Sequence, residues 1–127
     1  MDARTIARLY GAGRVVLGVG LLVAPRPLGR VWLGRAGGSP AGSVALRALG
    51  ARDVILGGMS LHTLDHPQVA PRWQRTCAAV DTVDFVATAA ARPALPRVGS
   101  ALVMAMAAGG AAVGAALGSA LARETSA

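Results

Sequence analysis

The chain lacks most of the residues from which a water-facing protein surface is built. Its 127 residues contain no Lys and no Asn, a single Glu and two Gln. The helices of a soluble bundle need such residues along their outer faces. With 54% hydrophobic residues and a mean hydropathy of +0.51, the composition therefore argues against a soluble helical domain and favours an integral membrane protein.

Several function classes are disfavoured by what is scarce. The positive charge comes from arginine alone and leaves a net charge of +7, but these arginines are dispersed through apolar segments. We therefore expect anionic lipid headgroups as partners and no nucleic acid. The single cysteine, Cys77, permits no internal disulfide. His62 and His66 stand where Pro67 ends a helix, so we predict no metal site, and no motif indicates a cofactor.

Prolines and glycines divide the chain into four apolar segments. They predict helices at 5–24, 40–64, 71–91 and 97–122 in one membrane domain covering residues 1–127. The short segment 28–33, with Trp32 between two arginines, is predicted to lie at the membrane interface. The expected fold class is all-α, a four-helix transmembrane bundle in a bacterial cytoplasmic membrane. Only the last helix is a plain apolar span, and the arginine distribution does not decide the orientation.

The first two predicted helices follow one pattern. Residues 8–18 align without a gap on residues 47–57, which places Gly11, Arg14 and Gly18 opposite Gly50, Asp53 and Gly57. In both segments the first residue is an arginine and the residue six positions later is charged. The third helix repeats only this spacing, with Asp81 six residues after Arg75. We interpret this as an internal helix repeat, a feature that often frames a site in membrane folds.

Charged residues in the apolar segments are the candidate functional residues. Burying a charge at mid-bilayer costs at least about 2.5–3.5 kcal/mol, and such charges usually pair inside the protein. We expect a polar core with three positive and three negative members: Arg14, Arg47, Arg52, Asp53, Asp81 and Asp84. In the third helix Cys77, Asp81 and Asp84 share one face, which is predicted to meet the first two helices. Asp81, Asp84 and Asp53 are the candidate proton donors of a catalytic site.

Small residues recur at every fourth position of the last helix, at Gly110, Gly114 and Gly118. This spacing lets helix backbones approach closely. It predicts either packing within the bundle or a homodimer seam through this helix, and the sequence does not choose between them.

The segment 45–57, together with the matching residues 13–18, resembles a domain-of-unknown-function family of small four-helix membrane proteins from GC-rich bacteria. The resemblance rests on the first three helices. It implies a four-span inner-membrane protein with an intramembrane site, and it implies no activity.

Three functions remain open at this point. The first is an interaction or accessory protein whose ion pairs fix the helix packing. The second is a membrane-embedded acid–base enzyme that acts on a small lipophilic ligand, such as an isoprenoid or an epoxide. The third is a small proton- or ion-coupled transporter. An enzyme predicts an apolar cavity that ends at the carboxylates, whereas a structural role predicts paired charges with no void beside them.

Overall fold

The computed structural model describes residues 1–126, and these residues form helices and no strand, which confirms the all-α class. Short 3-10 turns at Ala36–Gly38 and Arg92–Ala94 precede the third and the fifth helix. The five α-helices are α1 (Ala3–Val23), α2 (Pro25–Leu33), α3 (Pro40–Thr63), α4 (Ala70–Ala91) and α5 (Arg97–Ser126).

Local sequence signals explain where the helices begin and end. The Asp2 carboxylate caps α1 by accepting a hydrogen bond from the backbone N–H of Thr5, at 2.7 Å. Ser39 caps α3 in the same way, and Pro40 occupies the first helical position, where its missing N–H is not needed. The short helix α2 ends at Leu33 and is followed by Gly34, whose φ of 62° is accessible to glycine without steric cost.

Two of the helices, α1 and α5, are long and apolar enough to cross a membrane, judged by length and composition. By the same criterion, α3 and α4 are not candidate membrane spans. Three charged residues interrupt α3 and four interrupt α4. The crossing of the bilayer by α3 and α4 therefore stays a prediction.

The four long helices form two tightly packed antiparallel pairs, and α1 with α3 is the first. Its helices touch through backbone atoms at two points. A Cβ atom added at Gly18 would lie 2.5 Å from the carbonyl oxygen of Gly50, and one added at Gly57 would lie 2.5 Å from that of Gly11. Because any side chain would separate the helices, these glycines set the close approach.

The second pair is α4 with α5, and the glycine stripe of α5 faces α4. A Cβ atom at Gly114 would lie 2.9 Å from the carbonyl oxygen of Gln74, and one at Gly118 would lie 3.0 Å from that of Pro71. Gly110 abuts the carboxylate of Asp81. The three predicted packing glycines thus pack within the chain. The homodimer through this helix stays a prediction and would have to use another face of α5.

The two pairs are joined in three layers. At the end formed by the start of α1, the core residues are Ala7, Leu64, Ala70, Leu117 and Leu121. At the opposite end α2 bridges the pairs, because the carbonyl of Val31 packs directly on Gly99 of α5. The charged residues form the layer between, where the helix pairs also enclose a cavity.

Candidate functional site

Arg14 is the centre of the charged layer. It is the twelfth of 21 residues in α1 and only 7% exposed. Its Nη1 donates to both carboxylate oxygens of Asp81, at 2.6 and 2.7 Å, and its Nη2 donates to Oδ1 of Asp53, at 2.9 Å. One guanidinium therefore connects three helices at half their height, and these charge-assisted hydrogen bonds are of the strong class.

Arg52 forms a second bridge beside the first. It donates from Nη1 and Nη2 to the two oxygens of Asp84, at 2.9 and 2.6 Å, in the bidentate geometry that suits a guanidinium. It also donates to Oδ1 of Asp53, at 3.3 Å. Asp53 thus shares one oxygen between two arginines, and its Oδ2 accepts none of the hydrogen bonds formed among residues 1–126.

Tyr10 is a member of this layer that the sequence reasoning missed. Its hydroxyl donates to Oδ2 of Asp81 at 2.6 Å, lies 3.2 Å from the carbonyl oxygen of Gly110 and accepts from Arg14 at 3.0 Å. Tyr10 is the only tyrosine of the chain and precedes Arg14 by one helical turn, so the spacing was a usable signal. The absence of a side chain at Gly110 leaves room for the carboxylate.

A neutral polar pair was also missed. The amide Nε2 of Gln74 donates to the hydroxyl of Ser60 at 2.7 Å, and both side chains are fully buried. One residue earlier, the indole of Trp73 donates to the carbonyl oxygen of Leu56 at 3.1 Å. These two bonds tie α4 to α3 and help to hold the charged layer in register.

One predicted member of the polar core lies outside it. Arg47 is exposed, and its Nε donates to the carbonyl oxygen of Leu22 at 3.2 Å. The face of α3 that carries Asp53 turns toward α1, whereas Arg47, six residues earlier, lies at the exposed edge of that contact and reaches only the last turn of α1. The other predicted residues, Arg14, Arg52, Asp53, Asp81 and Asp84, are brought together.

The remaining candidates are separate from the cluster. Cys77 is fully buried one turn before Asp81. His62 and His66 are exposed at the end of α3, with ring centroids 5.0 Å apart. Within residues 1–126, no three His, Cys, Asp or Glu side chains are grouped so that they could hold a metal ion.

A cavity of about 510 Å³ lies between the two helix pairs and ends at the charged layer. Tyr10 and all five clustered charged residues line it. The rest of the wall is almost entirely apolar and includes Leu17, Leu21, Leu28, Val31, Leu102 and Met106. Several of these side chains also face outward, since Val31 is 55% and Leu102 54% exposed. The cavity is therefore open to the outside of the bundle and is not sealed within it.

Buried donors without an acceptor belong to the same wall. Nε of Arg14, Nε of Arg52 and the indole Nε1 of Trp32 are buried and find no partner among the described residues. A buried polar group left in this state costs about 1–3 kcal/mol. Such groups are rare in folded proteins, and the three residues that carry them here all line the cavity.

Searches of protein-family models, of curated proteins and of solved structures find no match to this chain.

Proposed function

We propose that this chain is a four-span membrane protein that takes a small lipophilic molecule from the bilayer into the cavity between its helix pairs. The observation that carries the proposal is the cavity itself. An apolar space of about 510 Å³ that ends at a polar cluster has the size and the mixed lining of a small-molecule site. The charged layer then serves as the polar end that orients the ligand.

The outer surface supports a location in the bilayer. Each long helix exposes large apolar side chains: Val16 of α1 is 72% exposed, Ile55 of α3 62%, Val83 of α4 65% and Leu102 of α5 54%. Soluble monomers rarely expose apolar surface on every side. If α3 and α4 span together with α1 and α5, their charges are paired inside the bundle and their apolar faces meet lipid, which is the arrangement that membrane proteins favour.

The helix contacts support the internal repeat. The surroundings of Gly18 are Gly50 and Val54, and those of Gly57 are Gly11 and Val15. The two sets are equivalent positions of the repeat. Gly57 is 39 residues after Gly18, and Gly11 and Val15 are 39 residues before Gly50 and Val54, so each helix meets the other in the same way. Two copies of one helix that contact each other in this way are related by a local two-fold axis.

The ion pair at the centre follows from that axis. Arg14 and Asp53 occupy the same position of the repeat, and they face each other at 2.9 Å. The repeat would therefore place the second of its charged positions, six residues after Arg8 and Arg47, at the point where its two copies meet, beside the cavity.

Exposed arginines support contacts with anionic headgroups at one end of the bundle. The end that carries α2 bears five exposed arginines and none of the acidic residues of the chain: Arg26, Arg30, Arg35, Arg92 and Arg97. Each arginine near an anionic membrane surface contributes about 1 kcal/mol of attraction. A bacterial cytoplasmic membrane offers such lipids and is the proposed location.

The cavity favours ligand binding over a purely accessory role. A cluster with a structural role alone would be fully paired and closely packed. Here the charged residues are paired but line a void, and the void is open to the outside of the bundle. The acid–base enzyme and the coupled transporter both require that a ligand binds in such a cavity.

Filling the cavity tests the proposal. Gly13 lines the cavity, and a Cβ atom at this position meets nothing within 4 Å. We therefore expect Gly13→Phe to place its ring in the cavity and to leave the helix contacts intact. Gly58 is equally unobstructed but does not line the cavity, which makes Gly58→Phe the matched control. The measurement is photolabelling of the protein in nanodiscs by an uncharged alkyl diazirine, followed by peptide mass spectrometry.

We expect labelling of cavity residues in α1, α2 and α5 of the original protein and of Gly58→Phe, and loss of this labelling in Gly13→Phe. Labelling restricted to the outer surface, or labelling of the cavity that Gly13→Phe leaves unchanged, would overturn the proposal.

A further inference from the structure

The unpartnered donors of the residues that line the cavity are all N–H groups. The Nε–H of Arg14, the Nε–H of Arg52 and the indole N–H of Trp32 are buried and have no acceptor among residues 1–126. Arg14 as a whole is only 7% exposed. A guanidinium has donors and no acceptor, so the arginines cannot satisfy one another. A ligand that completes the hydrogen bonding of these residues therefore has to bring an accepting atom.

The two arginines meet at one carboxylate. Nη2 of Arg14 and Nη2 of Arg52 both donate to Oδ1 of Asp53, at 2.9 and 3.3 Å. In each arginine, Nε is bonded to the same carbon of the planar, rigid guanidinium as Nη2. The two unused Nε–H groups are therefore on the side chains that hold Asp53, at the polar end of the cavity.

The charges of this layer select the kind of acceptor. Because Arg47 lies outside the cluster, two arginines are set against three aspartates, and no excess positive charge is left to receive an anion. A buried anionic head would therefore remain without a counter-charge of its own, which is costly. A cationic head would bring no acceptor. An uncharged oxygen, in contrast, satisfies the donors and leaves the charge of the layer unchanged.

The third donor belongs to the far end of the cavity. The backbone of Trp32 packs against Gly99 of α5, whereas Gly110, eleven residues later, abuts the carboxylate of Asp81. At 1.5 Å per residue, these two positions of α5 are about 16 Å apart. Between them the wall is formed by apolar side chains such as Leu102 and Met106. The space beyond the polar end therefore suits the apolar chain of a ligand.

We propose, as a deepening of the proposed function on which it rests, that the cavity selects an uncharged lipophilic molecule whose polar end is an accepting oxygen, such as a ketone, an ester or an epoxide. The oxygen takes a hydrogen bond from the unused Nε–H of Arg14, of Arg52 or of both. The apolar chain extends from Asp53 toward Trp32. No covalent bond forms or breaks in this step.

The experiment compares three probes that have the same nonyl chain. They are 2-undecanone, its isostere 2-methyl-1-undecene, in which a methylene group replaces the oxygen, and the anion decanoate. The full chain is placed in nanodiscs of ether-linked phosphatidylcholine, which has no ester carbonyl that could compete. Binding is measured, at equal ratios of probe to lipid, as protection of the cavity residues from the alkyl diazirine label. Infrared spectroscopy follows the C=O stretching band of 2-undecanone against empty nanodiscs.

We expect 2-undecanone to protect the cavity at least about tenfold more effectively than the alkene, a difference of about 1.4 kcal/mol. It should also protect better than decanoate. The C=O band of the bound ketone should move to lower frequency, because a hydrogen bond from a charged donor is strong and weakens the C=O bond. Gly13→Phe should abolish the shifted band, and Gly58→Phe should keep it.

Substitution by lysine identifies the donor. Lysine keeps the positive charge but lacks the Nε–H and the planar fork of arginine. At least one of Arg14→Lys and Arg52→Lys should therefore lose the preference for the ketone and still bind the alkene. Arg47→Lys, the same substitution at an exposed arginine outside the cluster, should keep the preference.

Equal protection by the ketone and the alkene would overturn this inference and leave the proposed function standing. Better protection by decanoate, an unshifted C=O band, or a preference that survives in both Arg14→Lys and Arg52→Lys would overturn it as well. If none of the three probes protects the cavity, the proposed function itself fails. Should an arginine variant not fold, the isostere comparison and the C=O band of the original protein still decide the question.

Discussion

Two neighbouring glycines of α3 offer a sharp test of how the helix pair is built. Gly57 and Gly58 follow each other in the sequence, yet their surroundings differ completely. A Cβ atom at Gly57 would lie 2.5 Å from the carbonyl oxygen of Gly11 and 2.9 Å from the backbone nitrogen of Val15, whereas one at Gly58 meets nothing within 4 Å. The perturbation is the same methyl group, added by Gly57→Ala or Gly58→Ala.

The structure gives the magnitude. The methyl carbon at position 57 would lie 0.9 Å closer to its nearest neighbour than the 3.4 Å at which ordinary van der Waals contact begins. This neighbour is a backbone oxygen, which cannot rotate away as a side chain can. Overpacking of this kind costs about 1–3 kcal/mol. The gain of up to about 1 kcal/mol from replacing glycine by alanine in a helix is common to both variants. We therefore expect Gly57→Ala to be about 1–3 kcal/mol less stable than Gly58→Ala.

The separation should also reach the site. If α1 and α3 move apart by the missing 0.9 Å, the 2.9 Å hydrogen bond between Arg14 and Asp53 becomes longer than the usual limit of about 3.2 Å. Unfolding by SDS titration, followed by tryptophan fluorescence, measures the free energies. Trp73 is a suitable reporter, because its indole donates to Leu56, the residue before Gly57. Stabilities of the two variants that agree within about 0.5 kcal/mol would refute the packing argument, since surface substitutions alone differ by that much.

Three further outcomes are expected in the same titration. Arg14→Met should lower the unfolding free energy by about 3–5 kcal/mol because two buried carboxylates lose their partner, whereas the exposed Arg47→Met should change it by less than about 1 kcal/mol; equal losses would place both arginines in the core. Gly110→Ala, which sets a methyl group against the Asp81 carboxylate, should lower the unfolding free energy by about 1–3 kcal/mol. Gly109→Ala should not, because a Cβ atom at Gly109 meets nothing within 4 Å, so equal stabilities of the two variants would contradict the contact. Ser60→Ala should cost about 1–3 kcal/mol, because the buried glutamine amide that donates to Ser60 loses its acceptor; a neutral result would mean that this amide is hydrated.

The sequence was informative about the helices because their signals are local. Apolar segments, the caps at Asp2 and Ser39 and the prolines that interrupt the chain act within one or two turns. The all-α class follows from them. The crossing of the bilayer by all four long helices does not follow in the same way, because the charges of α3 and α4 mask their apolar faces and their effect depends on what surrounds them.

The candidate site could be anticipated in its residue types but not in its pairing. The scarcity of charge in apolar segments singled out Arg14, Asp53 and Asp81. Helix spacing also placed Asp81 and Asp84 on one face. The position of Tyr10 one turn before Arg14 was the only signal for its role, because a hydroxyl acquires its other partners from other helices, here 71 and 100 residues away.

By itself the sequence determined that this chain forms helices, that their surfaces are apolar, and that a few charges within apolar segments need partners inside the protein. Only the tertiary structure decided which charges meet. The surfaces of α1 and α3 that touch are set by glycines 39 residues apart, and the packing of α3 that buries Asp53 leaves Arg47 at the exposed edge of the contact, outside the cluster. The expected balance of three positive and three negative charges therefore became two against three. The surplus charge and the cavity beside it result from how whole helices pack, which no local pattern specifies.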